Sequence, residues 1–96
     1  MSAWSVYFVR TREGALYTGI ATDVERRLGE HESGAGAKCL RGRGPLALVY
    51  AKEVGARGEA LRIEHALKRL SKEEKESIAA EDSSAATLRA LVGPDG

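Results

Sequence analysis

Two short runs rich in β-branched and aromatic residues, separated by a polar turn, most strongly constrain the fold of this chain. The runs are residues 5–10 and 15–20, and the turn between them, residues 11–14, ends in Gly14. This is the local signature of two antiparallel strands joined as a hairpin. The sequence therefore predicts a β-hairpin near the start of the chain, with a tyrosine near the middle of each strand.

The register of this hairpin decides whether Tyr7 and Tyr17 share a face of the sheet. A plain four-residue loop would place Tyr7 opposite Thr18 and turn Tyr17 to the other face, because side chains alternate along a strand. A left-handed Gly14 that forms a bulge would shift the register by one and place Tyr7 opposite Tyr17. We expect the bulge. The alternative role for both tyrosines is simple packing in a half-buried sheet.

A helix is predicted directly after the hairpin. Thr22 and Glu25 have the spacing of a capping box, which marks a helix start, and Ser33 with Gly34 provides a stop signal. We therefore expect a helix of about ten residues between these two signals.

The buried stripe of this helix is unusual because it contains two cationic residue types. At about 100° per residue, one arc holds Val24, Leu28, Arg27 and His31, whereas the other charged residues of the segment point elsewhere. An inward arginine and histidine one turn apart need an anion, a hydrogen-bond partner or a cleft. His31 alone would be read as a structural histidine, but together with Arg27 behind two tyrosines it indicates a functional site.

The glycine-rich stretch from Ser33 to Pro45 carries only positive charges, which are Lys38, Arg41 and Arg43. Such a loop can approach a phosphate backbone closely, so these three residues are candidate DNA contacts. The alternative is an ordinary solvated connection.

A third strand and a second helix are predicted next. Residues 45–51 are apolar almost throughout, which favours a central strand covered on both faces. Residues 57–70 show a helical stripe of Ala60, Ile63, Leu67 and Leu70. Glu64 lies at the margin of this stripe, where a carboxylate can reach into a cleft, although an ion pair with Lys68 on the surface is the alternative. His65 should face solvent.

The last part of the chain carries no recognisable chemistry. Ser71 and Glu74 form a second capping box, which predicts a helix from Lys72 to about Ala80. We expect one domain over residues 1–80 and a loose or short-helical tail over residues 81–96. With three strands and these helices, the predicted fold is α+β, a small three-stranded, mainly antiparallel sheet with flanking helices.

Composition limits the class of protein. The 96 residues suit one small domain, and the formal net charge of +1 does not by itself indicate a nucleic-acid binder. The single cysteine forbids an internal disulfide and fits a reducing compartment. No apolar run is long enough to cross a membrane, and the first residues lack the features of a secretory signal. We therefore expect a cytoplasmic protein with no membrane association.

The order of these motifs resembles the GIY-YIG endonuclease family, in particular its small stand-alone bacterial members. The resemblance runs from about Trp4 to about Ile78 and is carried by Ser5-Val6-Tyr7, Tyr17-Thr18-Gly19, Arg27, His31, Gly-Ala-Gly-Ala-Lys at 34–38, and Glu64. Ser5 and Val6 replace the glycine and isoleucine of the family name at backbone and packing positions, so the departure leaves the chemistry intact.

The resemblance implies a GIY-YIG-like fold and hydrolysis of phosphodiester bonds in DNA with one divalent cation. Glu64 would hold Mg²⁺ or Mn²⁺, and Arg27 would bind the phosphate. Tyr7 would act as the general base, Tyr17 would orient the water or phosphate, and His31 would hydrogen-bond Tyr7 or the phosphate. A neighbouring cation would have to lower the pKa of Tyr7 from its reference value of about 10.

The expected substrate is DNA, with branched, nicked or damaged DNA as the candidate forms, since no residue pattern here indicates the reading of base edges. No small-molecule organic cofactor is expected, and a protein partner could supply specificity because the chain has no room for an added domain. The alternative function is a nucleic-acid-binding or adaptor module that keeps the scaffold without cleaving.

Overall fold

A three-stranded antiparallel sheet forms the centre of the molecule in a computed structural model that describes residues 3–93, apart from the side chain of Cys39. The strands are β1 (Trp4–Arg10), β2 (Leu16–Ala21) and β3 (Ala47–Gly55), in the spatial order β2-β1-β3. The helices are α1 (Val24–Glu32), α2 (Arg57–Lys68), α3 (Lys72–Glu81) and α4 (Ala85–Val92), with a 3₁₀ turn at Lys38–Leu40. This confirms the predicted fold class. None of the helices described is long and apolar enough to cross a membrane.

The central strand is β1, so the prediction that the third strand is central was wrong. Both neighbours of β1 pair with it antiparallel, and its four middle residues are at most 1% exposed: Val6, Tyr7, Phe8 and Val9. β3 lies at the edge, spans residues 47–55 rather than 45–51, and leaves Leu48 37% exposed. An apolar run of residues indicates that a strand is buried, but whether the strand is central or at the edge of the sheet depends on which strands pair with it.

The two faces of the sheet carry separate cores. On one face the side chains of Val6 and Phe8 pack with the second and fourth helices through Ile63, Leu67 and Leu88. On the other face, Tyr7 and Val9 pack with α1 and the loop after it, through Val24, Leu28, Leu40 and Leu46. The side chain of Tyr7 therefore points to the α1 side of the sheet.

Tyr7 and Tyr17 share this face, as predicted, but they are not directly opposite each other. Tyr7 lies opposite Gly19, and Tyr17 is therefore on the diagonal, two residues along β2. The loop closes with a backbone hydrogen bond within Thr11–Ala15 and with Gly14 at a φ of 92°. A three-residue loop that ends in a left-handed glycine is a common hairpin connection. The register differs by two residues from the one predicted, and a shift of two keeps each side chain on its face.

The first helix begins one residue later than its sequence suggests. The cap is Asp23, whose carboxylate accepts the backbone N–H of Arg26 at 3.1 Å, so the predicted cap at Thr22 was wrong. An aspartate competes well with threonine as an N-cap residue. The second capping box was predicted correctly, because Ser71 and Glu74 each accept the other's backbone N–H.

The described part of the C-terminal segment is helical and joins the main core. Leu88 of α4 is fully buried, and the guanidinium of Arg89 donates to the carbonyl oxygen of Val54 at 2.8 Å. The division of the chain into residues 1–80 and 81–96 stays a prediction, and residues 94–96 lie outside the part described.

Candidate active site

A buried hydrogen bond joins two of the predicted site residues. The hydroxyl oxygen of Tyr7 lies 2.8 Å from Nε2 of His31. The two residues are 1% and 2% exposed. The ring of Tyr17 lies 6.4 Å from that of Tyr7 and 5.4 Å, edge-on, from that of His31, measured between centroids. Side chains from β1, β2 and α1 therefore meet at one place, as the sequence predicted.

The hydrogen bonds of His31 fix its tautomer. The backbone N–H of Ala37 donates to Nδ1 at 3.1 Å. Because Nδ1 accepts a hydrogen bond, the neutral ring carries its proton on Nε2, and His31 is the donor to the oxygen of Tyr7. Burial, together with the charge of Arg27, lowers the pKa of His31 and favours this neutral form.

Two glycines allow this close arrangement. A Cβ atom at Gly19 would lie 2.5 Å from the hydroxyl oxygen of Tyr7, and a Cβ atom at Gly36 would collide with Nδ1 and the backbone of His31. Gly19 therefore lets the phenol of Tyr7 lie across β2, and Gly36 lets the loop reach the imidazole. Both glycines stand inside the sequence motifs that carry the family resemblance.

The protein environment keeps Tyr7 protonated. Burial, followed by the negative charge that Tyr17 can carry, raises the pKa of Tyr7 to about 12, and Arg27 opposes this shift through its charge and hydrogen bonding. At neutral pH the hydroxyl is therefore a phenol rather than a phenolate. A role as a base requires additional positive charge near its oxygen.

Arg27 lies at the rim of this site and pairs with a carboxylate that was predicted to point elsewhere. Its guanidinium is 2.9 Å from Glu30, and the two side chains are 38% and 36% exposed. Arg26 approaches the same carboxylate at 3.6 Å. Of the two polar residues predicted on the inward stripe, His31 is buried, whereas Arg27 is about as exposed as the Glu30 side chain with which it pairs.

The position of Glu64 is compatible with both roles that the sequence left open. It forms the surface ion pair with Lys68, at 3.3 Å, but its own side chain is only 18% exposed and that of Lys68 is 52% exposed. After burial and Tyr17, the charge of Glu64 also contributes to the raised pKa of Tyr7. The charge of the carboxylate therefore acts on Tyr7 from α2, the helix that packs on the opposite face of the sheet from α1.

The donor set near this site fits a cation held by one carboxylate. Among the described residues, no three or more histidine, cysteine, aspartate or glutamate side chains are grouped as metal ligands. Mg²⁺ keeps several waters and is commonly bound by one or two carboxylates together with substrate phosphates. The side chain of Glu64, which is 18% exposed and among the described residues is ion-paired with the half-exposed Lys68, meets this requirement.

The three predicted DNA-contacting residues lie in the loop that follows the C-terminal end of α1. Lys38 and Arg41 are exposed, and Nε of Arg41 donates to the carbonyl oxygen of Gly34 at 2.9 Å. Arg43 is partly buried and pairs with Glu13 of the hairpin loop at 3.3 Å. Their contact with DNA stays a prediction. His65 is exposed, as expected.

Sequence reasoning missed the donor that holds His31 and the partner of Arg27. Nearly every residue has a backbone N–H, so the sequence does not reveal that the N–H of Ala37 is the one that donates to His31. The only available sign was the Gly-Ala-Gly-Ala pattern at 34–37, which permits a close approach of the loop. Glu30 was identifiable by its spacing of three from Arg27, which suits a helical ion pair.

Comparison with known proteins assigns this arrangement to a family. The GIY-YIG catalytic domain matches residues 3–77. The chain belongs to the GIY-YIG family, which is a family of nucleases, and the resemblance seen in its sequence is confirmed.

Within that family the chain is similar to small proteins named UPF0213. It is 51% identical over 88 residues to UPF0213 protein YhbQ of Escherichia coli strain K12, covering 92% of this chain and 88% of the relative. It is 54% identical over 77 residues to UPF0213 protein YE0453 of Yersinia enterocolitica, covering 80% of this chain and 79% of the relative.

Two structures determined by solution NMR share the fold. UPF0213 protein BH0048 from Bacillus halodurans has 43% sequence identity and a TM-score of 0.52, over 80% of this chain and 82% of that one. Protein EF2693 from E. faecalis has 32% identity and a TM-score of 0.59, over 84% and 86%.

Proposed function

We propose that this protein is a divalent-cation-dependent endonuclease that hydrolyses phosphodiester bonds in DNA. The observation that carries the proposal is the Tyr7–His31 hydrogen bond, with Tyr17 against both rings and Arg27 at the rim. Gly19 and Gly36 permit the close approach of β2 and of the loop after α1 to these two side chains. Membership of a nuclease family supports the same assignment.

Arg27 is the residue proposed to bind the scissile phosphate. Its side chain is 38% exposed, and its guanidinium lies within reach of the hydroxyl of Tyr7. The planar fork of N–H donors matches two phosphate oxygens and stabilises the charge that builds on them during attack. Glu30 would orient the guanidinium through its ion pair and leave the remaining donors to the substrate.

Tyr7 is the residue proposed to take the proton from the attacking water. Its oxygen has two stabilising neighbours: Nε2–H of His31 donates a hydrogen bond to it, and the positive charge of Arg27 lowers the pKa of Tyr7. Both would stabilise a phenolate once it forms. His31 has its proton on the nitrogen that faces Tyr7, so in this role it donates a hydrogen bond and does not remove the phenol proton. Tyr17, which is partly exposed, would orient the water or phosphate.

Glu64 is the proposed ligand of Mg²⁺ or Mn²⁺. The bound cation would supply positive charge near the phosphate and would offset the effect of the Glu64 carboxylate, which by itself raises the pKa of Tyr7. Lys68 would have to give up its ion pair with Glu64, which is a small cost because its side chain is half exposed.

A metal-dependent cleavage assay tests this proposal. The purified chain is incubated with labelled linear, nicked and branched DNA, with and without Mg²⁺ or Mn²⁺. We expect cutting that requires the cation, that is lost in Glu64→Gln, and that persists in Glu73→Gln, where an exposed carboxylate on α3 is changed in the same way. Equal cutting by wild type and Glu64→Gln would contradict the assignment and indicate a contaminating nuclease.

One observation favours a second candidate, a nucleic-acid-binding module without cleavage. Tyr7 is 1% exposed and its pKa is raised to about 12, so the phenol is poorly accessible and hard to ionise. Binding of DNA with no cutting across the whole panel of substrates and cations would support this second function over the first.

A further inference from the structure

A cleft with a volume of about 360 Å³ lies beside the proposed phosphate-binding arginine. Its walls come from the end of β2, the first two turns of α1 and the start of both β1 and α2. Three arginines line it, Arg26, Arg27 and Arg57, against two carboxylates, Asp23 and Glu30. Arg27 lines the cleft and also lies at the rim of the candidate active site, so the cleft is directly adjacent to that site.

Both carboxylates of the cleft already have partners. Asp23 accepts the backbone N–H of Arg26 as the cap of α1. Glu30 lies between the guanidinium groups of Arg26 and Arg27, at 3.6 Å and 2.9 Å. The charge that remains for a ligand is therefore positive.

Arg57 is the arginine of the cleft that no carboxylate neutralises. Within residues 3–93 it forms no ion pair, and its guanidinium carbon lies 5.6 Å from the ring centre of Trp4. Stacking on an aromatic face holds a guanidinium in place and leaves its in-plane N–H donors available. Arg57 is also exposed, so an anion can reach these donors.

We propose that this cleft binds the nucleotide next to the scissile phosphate, with Arg57 as a second phosphate contact. The inference rests on the proposed function, because it takes Arg27 as the contact to the phosphate that is cut. Arg57 positions the strand and takes no part in proton transfer. The cleft thereby extends the DNA-binding surface toward the N-terminal end of α1, whereas the loop that carries Lys38, Arg41 and Arg43 follows its C-terminal end.

Trp4 provides a direct reporter, because it is the only tryptophan of the chain. The full chain is titrated with a nicked DNA duplex in the presence of a chelator, so that binding is measured without cutting, and the fluorescence of Trp4 is followed. We expect DNA to change this fluorescence, because a phosphate on Arg57 alters the group that covers the indole ring.

A matched pair of variants on α2 separates a specific contact from general charge. Arg57→Gln and Arg62→Gln each remove one positive charge from an exposed position, but only Arg57 lines the cleft. We expect Arg57→Gln to weaken binding about five-fold and to reduce the dependence of log affinity on log salt concentration by about 1. We expect Arg62→Gln to bind within about two-fold of wild type.

The possible results distinguish this inference from the proposed function. Equal effects of Arg57→Gln and Arg62→Gln, or no change in Trp4 fluorescence on binding, would overturn the cleft assignment even if the wild type cuts DNA. A specific loss in Arg57→Gln with no metal-dependent cutting by the wild type would support the cleft as a DNA-binding site and contradict the nuclease.

Discussion

The hydroxyl of Tyr7 occupies the space in which a side chain on residue 19 would begin. A Cβ atom at Gly19 would lie 2.5 Å from the hydroxyl oxygen of Tyr7 and 2.6 Å from the adjacent ring carbon. The two residues are directly opposite each other in the β1–β2 hairpin. The glycine thus sets the position of the phenol, and with it the hydrogen bond to His31.

Gly19→Ala is therefore expected to displace the ring of Tyr7. The overlap is with a ring confined by a buried hydrogen bond, so we expect a loss of about 1–3 kcal/mol in the free energy of unfolding, together with slower DNA cleavage. Chemical denaturation and the cleavage assay measure the two effects. Gly29→Ala is the control, because Gly29 is at an exposed position of α1 where a Cβ atom meets nothing within 4 Å. This substitution should stabilise the protein by about 0.5–1 kcal/mol. Unchanged stability in Gly19→Ala would refute this account.

Tyr7→Phe keeps the ring and removes the oxygen. Nε2–H of His31 loses its acceptor, so we expect a cost of about 1–2 kcal/mol in stability, and cleavage should fall about 100-fold or more if Tyr7 handles the proton. The matched control is Tyr50→Phe, which removes a hydroxyl that donates to the carbonyl oxygen of Ser83 at 2.5 Å, in the core on the other face of the sheet. A similar loss of cleavage in both variants would mean that the effect is structural.

Stability should depend on pH through His31. Burial, then the charge of Arg27, lowers the pKa of His31 in the folded protein, with Glu30 opposing, while the unfolded chain takes up this proton near pH 6.5. The unfolded state therefore binds more protons below about pH 6.5, and folding stability should fall as the pH drops from there toward the lowered pKa. Thermal melts of wild type across pH 5–8 measure this effect.

The two histidines provide the control for that pH dependence. His31→Gln should lose the decrease below about pH 6.5, whereas His65→Gln, which changes an exposed side chain on α2, should keep it. An identical pH profile in wild type and His31→Gln would show that the decrease arises elsewhere.

Thr18→Val should stabilise the protein. The hydroxyl of Thr18 is buried and has no hydrogen-bond partner among residues 3–93, so the folded state carries a desolvation cost that valine, of the same shape, would not have. We expect a gain of about 1 kcal/mol in the free energy of unfolding, measured by chemical denaturation. Thr11→Val is the control and should destabilise the protein, because the buried hydroxyl of Thr11 accepts the backbone N–H of Ala15 at 3.2 Å. Destabilisation by both changes would contradict the prediction.

Local patterns in the sequence predicted the elements and the inward stripe of α1. The hairpin, the capping box at Ser71 and the inward placement of His31 follow from spacing along one segment, and the structure contains all three. The central position of β1 does not follow from spacing. It depends on pairing with β3, which is about forty residues away in the chain, and each strand taken alone is sufficiently apolar for either position.

The meeting of Tyr7, Tyr17, Arg27 and His31 was predictable because each of them faces the same side of its own element. The exact pairing of the tyrosines was not, because a shift of two residues along a strand preserves the face and changes only the neighbours. The role of Glu64 was also left open by the sequence, since its ion pair with Lys68 and the effect of its charge on the pKa of Tyr7 are compatible with each other.

The loop contact to His31 has a consequence for which substitutions the chain can tolerate. The donor is the main chain of Ala37, so the hydrogen bond itself does not depend on the side chain at that position, with proline as the exception because it has no N–H to give. At position 36 the opposite holds, since any side chain would collide with the imidazole. Two adjacent residues of one short loop are thus constrained in different ways. Gly36 must have no side chain, whereas Ala37 must keep its N–H and a side chain that fits beside the core on this face of the sheet.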